Sequence, residues 1–482
     1  MDNLSTIPLS DAMLALAFVG DLSKGQPTNH SVRTAKLAAL LAAEDGASEE
    51  DCQAAYCIAL LRWSGCTANA AGFGELLGDD VAGRRGLTTT GIYPWFNIPR
   101  DLIYPLAQIH CEVSGDIAVM LGMPRAVETG LRHIFETYNG QGVPGLLKHP
   151  EVPLSVYRVA LAGDLEALSR VHGVDAALTF VSSKSNVKYP DELVGLLSRF
   201  AGIWLARLDS DVSQPFDFRL SAANASAEIP LTLVADVIDL KLPWLAGFSR
   251  RVAELARAAA ELQGLAPIVK EQVYRAGLIH GVGRAAIPNW VWNMPGRLDA
   301  AAWEQVRLAP YWTGRAAQHI RSLTPEINLA SHVYERQDGT GYFRSLADEA
   351  ITAPQRTLAT TVAWTALCSS RPWRGPFNKD DAGALLRDEA VHGRFDPVIV
   401  DAVLAAANGQ RLKPPAKAAT VLTDRETEVL ARISLGESNK EVARSLGVSP
   451  STVRTHVESI FRKLECSTRA AATLKAYTLG II

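Results

Sequence analysis

The sequence predicts an all-α protein in three parts, and three observations carry that prediction. Ala/Leu-rich segments such as 34–44, 252–262 and 355–367 repeat their apolar residues near the helical period of about 3.6. A stretch near the start of the chain returns near its middle, so most of the chain reads as two copies of one unit. The final segment, 422–482, carries start and stop signals for four short helices.

The 482 residues agree with about three domains at roughly 150 residues each. Apolar residues make up 48% and charged residues 21%, which excludes disorder for most of the chain. Residues Met1–Ser10 lack a basic segment followed by an apolar one, and no run approaches the ~20 apolar residues of a membrane span. A cytoplasmic protein with no membrane partner is therefore expected. The six cysteines (52, 57, 66, 111, 368 and 466) form no CxxC, as expected of reduced thiols and not of a zinc knuckle. The net charge of −3 is uneven. Residues 405–482 hold 12 Lys and Arg against 7 Asp and Glu, which leaves +5 there and −8 on the rest. A basic end on an acidic body points to one nucleic-acid-binding end.

The repeat is gapless over residues 30–65 and 248–283, where ten of 36 positions are identical. The offset then falls from 218 to 199, so the first copy carries 19 extra residues, placed around Gly83–Asn97. At the new offset HIFETYNGQGV (133–143) meets HVYERQDGTGY (332–342). The predicted organisation is a first repeat at 8–205, a polar connector at 206–240, a second repeat at 241–406, a linker at 407–421 and a final domain at 422–482. Pro414-Pro415 block a helix in that linker and favour an extended spacer.

In the last domain, Thr423 with Glu426 and Ser438 with Glu441 read as capping boxes ahead of two apolar-periodic helices. Gly447 supplies a left-handed turn. Ser449 caps a third helix with Pro450 at its first position, and Thr468 caps a fourth that ends at Gly480. The third helix is two-faced. Val453, Val457, Ile460, Phe461 and Leu464 form its apolar side; Ser451, Arg454, Thr455, Glu458 and Arg462 lie opposite, where a major groove can receive them. Ser438, Lys440, Thr452 and Lys463 are placed for phosphates, which give affinity without sequence choice. The strings LTDRETEVL, GESNKEVARSLGVSPSTVRTHV and KL-x-x-STRAAA closely resemble the LuxR/FixJ-type helix-turn-helix over about 60 residues. That resemblance implies double-stranded DNA as a partner and a homodimer. Glu458 departs from it, being acidic where a base-contacting helix often carries a basic or amide side chain.

The repeated unit resembles the HD-GYP domain, a helical phosphohydrolase family that hydrolyses cyclic di-GMP. In the second copy the resemblance rests on IHGVGRAAIPNWVWNMPGRL (279–298), ERQDGTGY (335–342) and SSRPWR (369–374). In the first it rests on HSVRTA, LLRWSG, FETYNGQGVP and ALAGDLEAL. The fold it implies is all-α: two HD-GYP-like helical units in tandem, then a four-helix LuxR-type domain. Such sites hold two or three metal ions on His and carboxylate ligands, and seven ligand positions can be followed. The first is His30, against Phe248 in the second copy; the HD pair is Arg62-Trp63 against His280-Gly281. Next comes His110 against Ala309, then Ile134-Phe135 against Val333-Tyr334, and last Gly163 against Val362. Only His30, His110 and His280 remain at ligand positions, and apolar residues cannot replace them.

The expectation from these substitutions is a body that is not an enzyme, with no catalytic residues, metal or cofactor. It would serve sensing or dimerisation in a transcriptional regulator. His133 and His332 sit one residue before the lost pair, and His30, His110 and Asp164 could form a different site. Arg284, Arg336, Arg371 and Arg374 fall in the second copy's former site and could bind a small nucleotide effector by its phosphate. Seven of the ten tryptophans lie between 244 and 373, as core or as a nucleobase lining. Two other readings stay open: a metal-dependent cyclic di-GMP phosphodiesterase with a DNA-binding domain, and a purely protein-binding scaffold.

Overall fold

The structure, a computed structural model, describes residues 5–89, 98–143, 145, 147–210, 226–409 and 422–482. Helix is the dominant structure of the described residues, and their two strands, Thr6–Pro8 and Glu228–Pro230, have three residues each. They fall into two compact units, one within Pro8–Ile229 and the other within Met1–Ile7 and Pro230–Ile482. No helix among them is long and apolar enough to cross a membrane.

The N-terminal unit runs α1 (Leu9–Ser23), α2 (His30–Glu44), α3 (Glu49–Leu61), α4 (Ala70–Leu77), α5 (Asp80–Thr89), α6 (Arg100–Met120) and α7 (Arg125–Arg132). It continues with α8 (Leu154–His172), α9 (Val174–Ser182) and α10 (Asp191–Ser210). Helix α2 is the hub, packed on both α3 and α8. Its buried face reads Thr34, Ala35, Leu37, Ala38 and Leu41, the spacing of a core-facing helix. The small side chains of that face let neighbouring helices approach closely.

The C-terminal unit repeats the plan with α11 (Leu231–Asp239), α12 (Phe248–Leu262), α13 (Pro267–Ile279), α14 (Asn289–Trp292), α15 (Ala300–Arg307), α16 (Ala309–Arg315), α17 (Thr324–Ala330), α18 (Ala353–Leu367), α19 (Lys379–Val391) and α20 (Pro397–Gly409). Matching contacts establish the duplication in three dimensions. The Asp21 carboxylate accepts from the Ser31 amide and hydroxyl, and Asp239 accepts from Ser249 in the same way. The Gly65 amide donates to Ser114 Oγ at 3.1 Å, and the Gly283 amide to Thr313 Oγ1 at 3.0 Å. A Cβ built on Gly65 would overlap the His110 carbonyl, and one on Gly283 the Ala309 carbonyl. Each unit thus needs glycine where one helix approach crosses another backbone.

Helix reaches into both ends of the connector expected at 206–240: α10 runs to Ser210, and α11 begins at Leu231 with Pro230 as its N-cap. Residues 211–225 lie outside the described residues. The extra segment near Gly83–Asn97 begins within α5, and 90–97 lie outside the described residues. So do 410–421, which hold most of the predicted linker.

The last four helices are α21 (Asp424–Ser434), α22 (Asn439–Leu446), α23 (Pro450–Lys463) and α24 (Arg469–Thr478). Both capping boxes form, Ser449 and Thr468 cap their helices, and Gly447 closes α22 at φ +66°. Val453, Val457, Ile460 and Leu464 join Val429, Leu430, Val442 and Ala472 in one small core, with Phe461 packed against it. Within the C-terminal unit this domain meets the repeat at two glycines. Tyr477 lies against Gly247 (φ +67°), and Gly436 (φ +90°) against Pro243.

Gly65→Ala and Gly283→Ala should each destabilise the protein by about 1–3 kcal/mol, because the added methyl meets backbone that cannot rotate away. A lowered urea midpoint at unchanged slope checks this. An unchanged midpoint in both variants would contradict the close approach.

Candidate functional site

The N-terminal unit encloses a cavity of about 710 Å³. Residues from α4, α5, α6, α8 and α9, and from the segments that follow α1, α3, α7 and α9, form its wall. Trp63, Phe73, Phe135 and Phe180 supply aromatic faces. Six basic side chains line it (Lys24, Arg62, Arg84, Arg100, Lys184 and Lys188) against two acidic ones, Glu136 and Asp164. The lining is therefore apolar with a surplus of positive charge, the character of a site for an aromatic anion.

At the inner wall, three buried groups form a chain. His30 Nδ1 pairs with the Glu166 carboxylate, and His30 Nε2 faces Arg62 Nη2 at 2.6 Å. A guanidinium can only donate. The partners thus assign a neutral imidazole, protonated at Nδ1, that accepts from Arg62. Burial pushes His30 down to about 4, consistent with that state. Glu166 is the anion of the network. Its burial raises the carboxyl, but His30 and Arg170 outweigh that and hold it near 2. Arg33 Nε also donates to it at 3.0 Å. Arg62 donates further to Thr34 Oγ1 at 3.1 Å. Burial lowers Arg62 to about 10, which leaves it charged at neutral pH. Trp63 lies between two cations, Lys24 Nζ at 3.6 Å and Arg62 Cζ at 4.7 Å from its ring.

These residues do not fit the two- or three-metal set that the HD-GYP resemblance implies. His30 spends both nitrogens on Glu166 and Arg62. His110 places Nε2 on the Arg62 carbonyl at 2.7 Å and Nδ1 near Cys66 Sγ. Asp164 pairs with Lys188 and Tyr189. His30, His110 and Asp164 therefore do not converge, and no group of three or more His, Cys, Asp or Glu placed for a metal forms among the described residues. His133 is half-buried and His332 Nδ1 lies 2.6 Å from the Asn328 carbonyl, and neither belongs to such a group among the described residues.

In the second repeat Phe248, Val333 and Val362 are buried where ligands would stand. His280 Nδ1 donates to the Gly277 carbonyl, and its Nε2 accepts from Arg284 Nη2 at 2.9 Å. The four arginines expected to bind an effector pack against rings or backbone carbonyls of the second repeat. Arg284 lies over Phe248, Arg336 over Phe395, and Arg371 over Trp244 and Phe248. Arg374 donates to the Ala366, Leu367 and Gly375 carbonyls. Among the described residues the large cavity lies in the first repeat, while Phe248, Val333 and Val362 fill the matching place in the second. The tryptophan-rich segment is not its lining either. Trp364 is core, Trp244 bonds to Asn293, and Trp290, Trp303 and Trp373 are exposed.

In the last domain, Ser438, Lys440, Ser451, Thr452, Arg454, Thr455, Glu458 and Arg462 are exposed. Arg454 Nε meets Glu458 Oε1 at 2.9 Å, one turn along α23. Lys463 differs from expectation: its ammonium is bound to Glu426 at 2.7 Å and ties α23 to the capping box of α21. Ser438 uses its hydroxyl to cap α22.

Comparison with known proteins places these features. Residues 232–399 match the HD domain family, and residues 420–476 match the luxR family of bacterial regulatory proteins. The chain therefore carries an HD domain and a C-terminal LuxR-type helix-turn-helix domain. It is 27% identical over 440 residues to 3'3'-cGAMP-specific phosphodiesterase 3 of Vibrio cholerae, covering 84% of this chain and 95% of that one. It is 33% identical over 149 residues to a cyclic di-GMP phosphodiesterase of Pseudomonas aeruginosa, of which it covers 35%. Over 104 residues it is 40% identical to the probable transcriptional regulatory protein NarL of Mycobacterium tuberculosis, of which it covers 48%. A crystal structure of a cyclic GMP-AMP phosphodiesterase of Vibrio cholerae has the same fold, with a TM-score of 0.60 at 23% identity over 84% of this chain and 99% of that one.

These relatives overturn the expectation that the chain is not an enzyme. The protein similar to it over most of its length is named a phosphodiesterase, and the body shares that fold. Loss of donors at known positions concerns one ligand set and does not define the chemistry of the whole body.

The sequence pointed to His30 and His110 but not to Lys24, Arg84 or Lys188, and it treated Arg62-Trp63 only as a lost ligand pair. One available signal was an arginine in each copy close to the HD pair, Arg62 and Arg284. Glu166 supplies a test of the network. Its folded pKa lies below its ordinary 4.5, so its stabilisation is present above about pH 4.5 and lost as pH falls toward 2. Glu166→Gln should cost roughly 3 kcal/mol at pH 7, the order for breaking a buried ion pair. The difference from wild type should shrink on acidification, and urea denaturation at stepped pH reads both.

Proposed function

We propose that this protein is a sequence-specific, DNA-binding transcriptional regulator. In this reading its HD body takes a guanine-containing cyclic dinucleotide into the N-terminal cavity. It acts in the cytoplasm as a homodimer, and ligand binding alters the spacing of two recognition helices. Half-sites about one helical turn apart, roughly 10 base pairs or a multiple, follow from such a dimer. The observation that carries the reading is one chain holding a basic, aromatic-walled cavity of about 710 Å³ and a LuxR-type domain with its polar face exposed. The relatives named for 3'3'-cGAMP and cyclic di-GMP supply the ligand class. On DNA, Ser451, Arg454, Thr455, Glu458 and Arg462 face base edges, while Ser438, Lys440 and Thr452 contact phosphates. Glu458 steers Arg454 toward its base.

A second reading, hydrolysis of the dinucleotide by the same body, is favoured by the relatives' names. Calorimetric titration of the full chain with 3'3'-cGAMP and with cyclic di-GMP, followed by chromatography of the same samples, separates binding from turnover. Absence of binding by both ligands would defeat the proposal. For the DNA end, Arg454→Ala should remove about 1–3 kcal/mol of discrimination between operator and random DNA. Lys440→Ala should weaken both alike and lower the salt slope by about one. Operators recovered genome-wide supply the cognate DNA.

A further inference from the structure

We infer that the Arg62 guanidinium stands where the related sites hold a metal ion and anchors a phosphate group of the ligand directly, so that the N-terminal cavity binds its anionic ligand without a divalent cation. The inference deepens the reading that the cavity takes a cyclic dinucleotide and rests on it for the ligand class.

The imidazole of His30 is arranged like a metal ligand. A carboxylate, Glu166, orients it through Nδ1, the support commonly given to a metal-bound histidine. The lone pair of Nε2 then points at Arg62 Nη2, a cation fixed at 2.6 Å. Gly163 shows that the exchange is steric as well as electrostatic. It occupies the position where the resemblance places the late Asp, and a Cβ there would overlap Arg62 Nη1. The guanidinium can enter only because that side chain has gone. One positive group replaces another, and one carboxylate is lost with it.

Arg62 is also positioned to act on a ligand. It is 4% exposed, lines the cavity, and its Nε finds no hydrogen-bond partner among the described residues. Trp63 holds it beside Lys24. Burial pushes Lys24 down to about 7, so an anion entering beside it would favour its charged form, and a guanidinium suits a phosphate's paired oxygens. The second repeat reaches the same pairing by another route. There Arg284, four residues after His280, donates to its Nε2, but Phe248 and the Tyr334 hydroxyl cover the guanidinium. The charge was replaced twice; the cavity stands beside it in the first repeat.

The test uses the full chain, freed of metal with EDTA, and calorimetric titration with 3'3'-cGAMP and separately with inorganic pyrophosphate. Binding in EDTA is expected, with an affinity that added Mn²⁺ changes less than twofold. Arg62→Met should weaken binding at least tenfold, and Arg62→Lys less. Gly163→Ala, which keeps every charge but displaces the guanidinium, should also weaken binding at least tenfold; thermal melting confirms that each variant is folded. Pyrophosphate binding that depends on Arg62, without 3'3'-cGAMP binding, would keep the anchor and reject the dinucleotide. Binding only with Mn²⁺, or stoichiometric metal in the purified chain, would overturn the anchor and leave the dinucleotide reading standing. Binding of neither probe under either condition would overturn both.

Discussion

The hydrogen bond from Arg62 to His30 organises the N-terminal unit. It joins the end of α3 to the start of α2, and through Glu166 it reaches α8. A charge so deeply buried is tolerated only with partners at short range, and here each group has them. Glu166 is met by His30, Arg33 and Arg170, and Arg62 by His30 and Thr34. Removing one member would cost the others a buried partner. The network therefore ties the packing of three helices to the charge that faces the cavity.

The two repeats share scaffold contacts but differ at the site. The Asp–Ser pair between the first two helices and the glycine held by a hydroxyl recur in both copies. These contacts fix helix approach, and most substitutions there would open a gap or force an overlap. At the compared positions the copies differ: Phe248, Val333 and Val362 are buried in the second repeat, whereas Arg62 lines an open cavity in the first.

The DNA-binding domain is simpler because its structure is nearly all local. Each helix start is satisfied by its own cap, and the small core needs one apolar stripe per helix. Glu458, the residue that departs from the family pattern, lies one turn from Arg454 and bonds to it. An exposed pair of this kind is worth little by itself. It therefore orients Arg454 without preventing it from exchanging partners.

The all-α class, the duplication and the four C-terminal helices were legible in the chain because they depend on short-range signals: periodicity, caps and glycines at fixed offsets. Even the loss of ligands was legible, since it needed only residue identity. What the chain alone did not show was where the lost positions left a cavity and where they closed it. Arg62 replaces the first residue of the HD pair and Arg284 lies four residues after the start of that pair, yet one lines an open space and the other packs on Phe248. Lys463 looks like a phosphate contact, yet it is held by Glu426, 37 residues away. Such outcomes depend on which side chains meet across distant helices, and only the tertiary packing decides that.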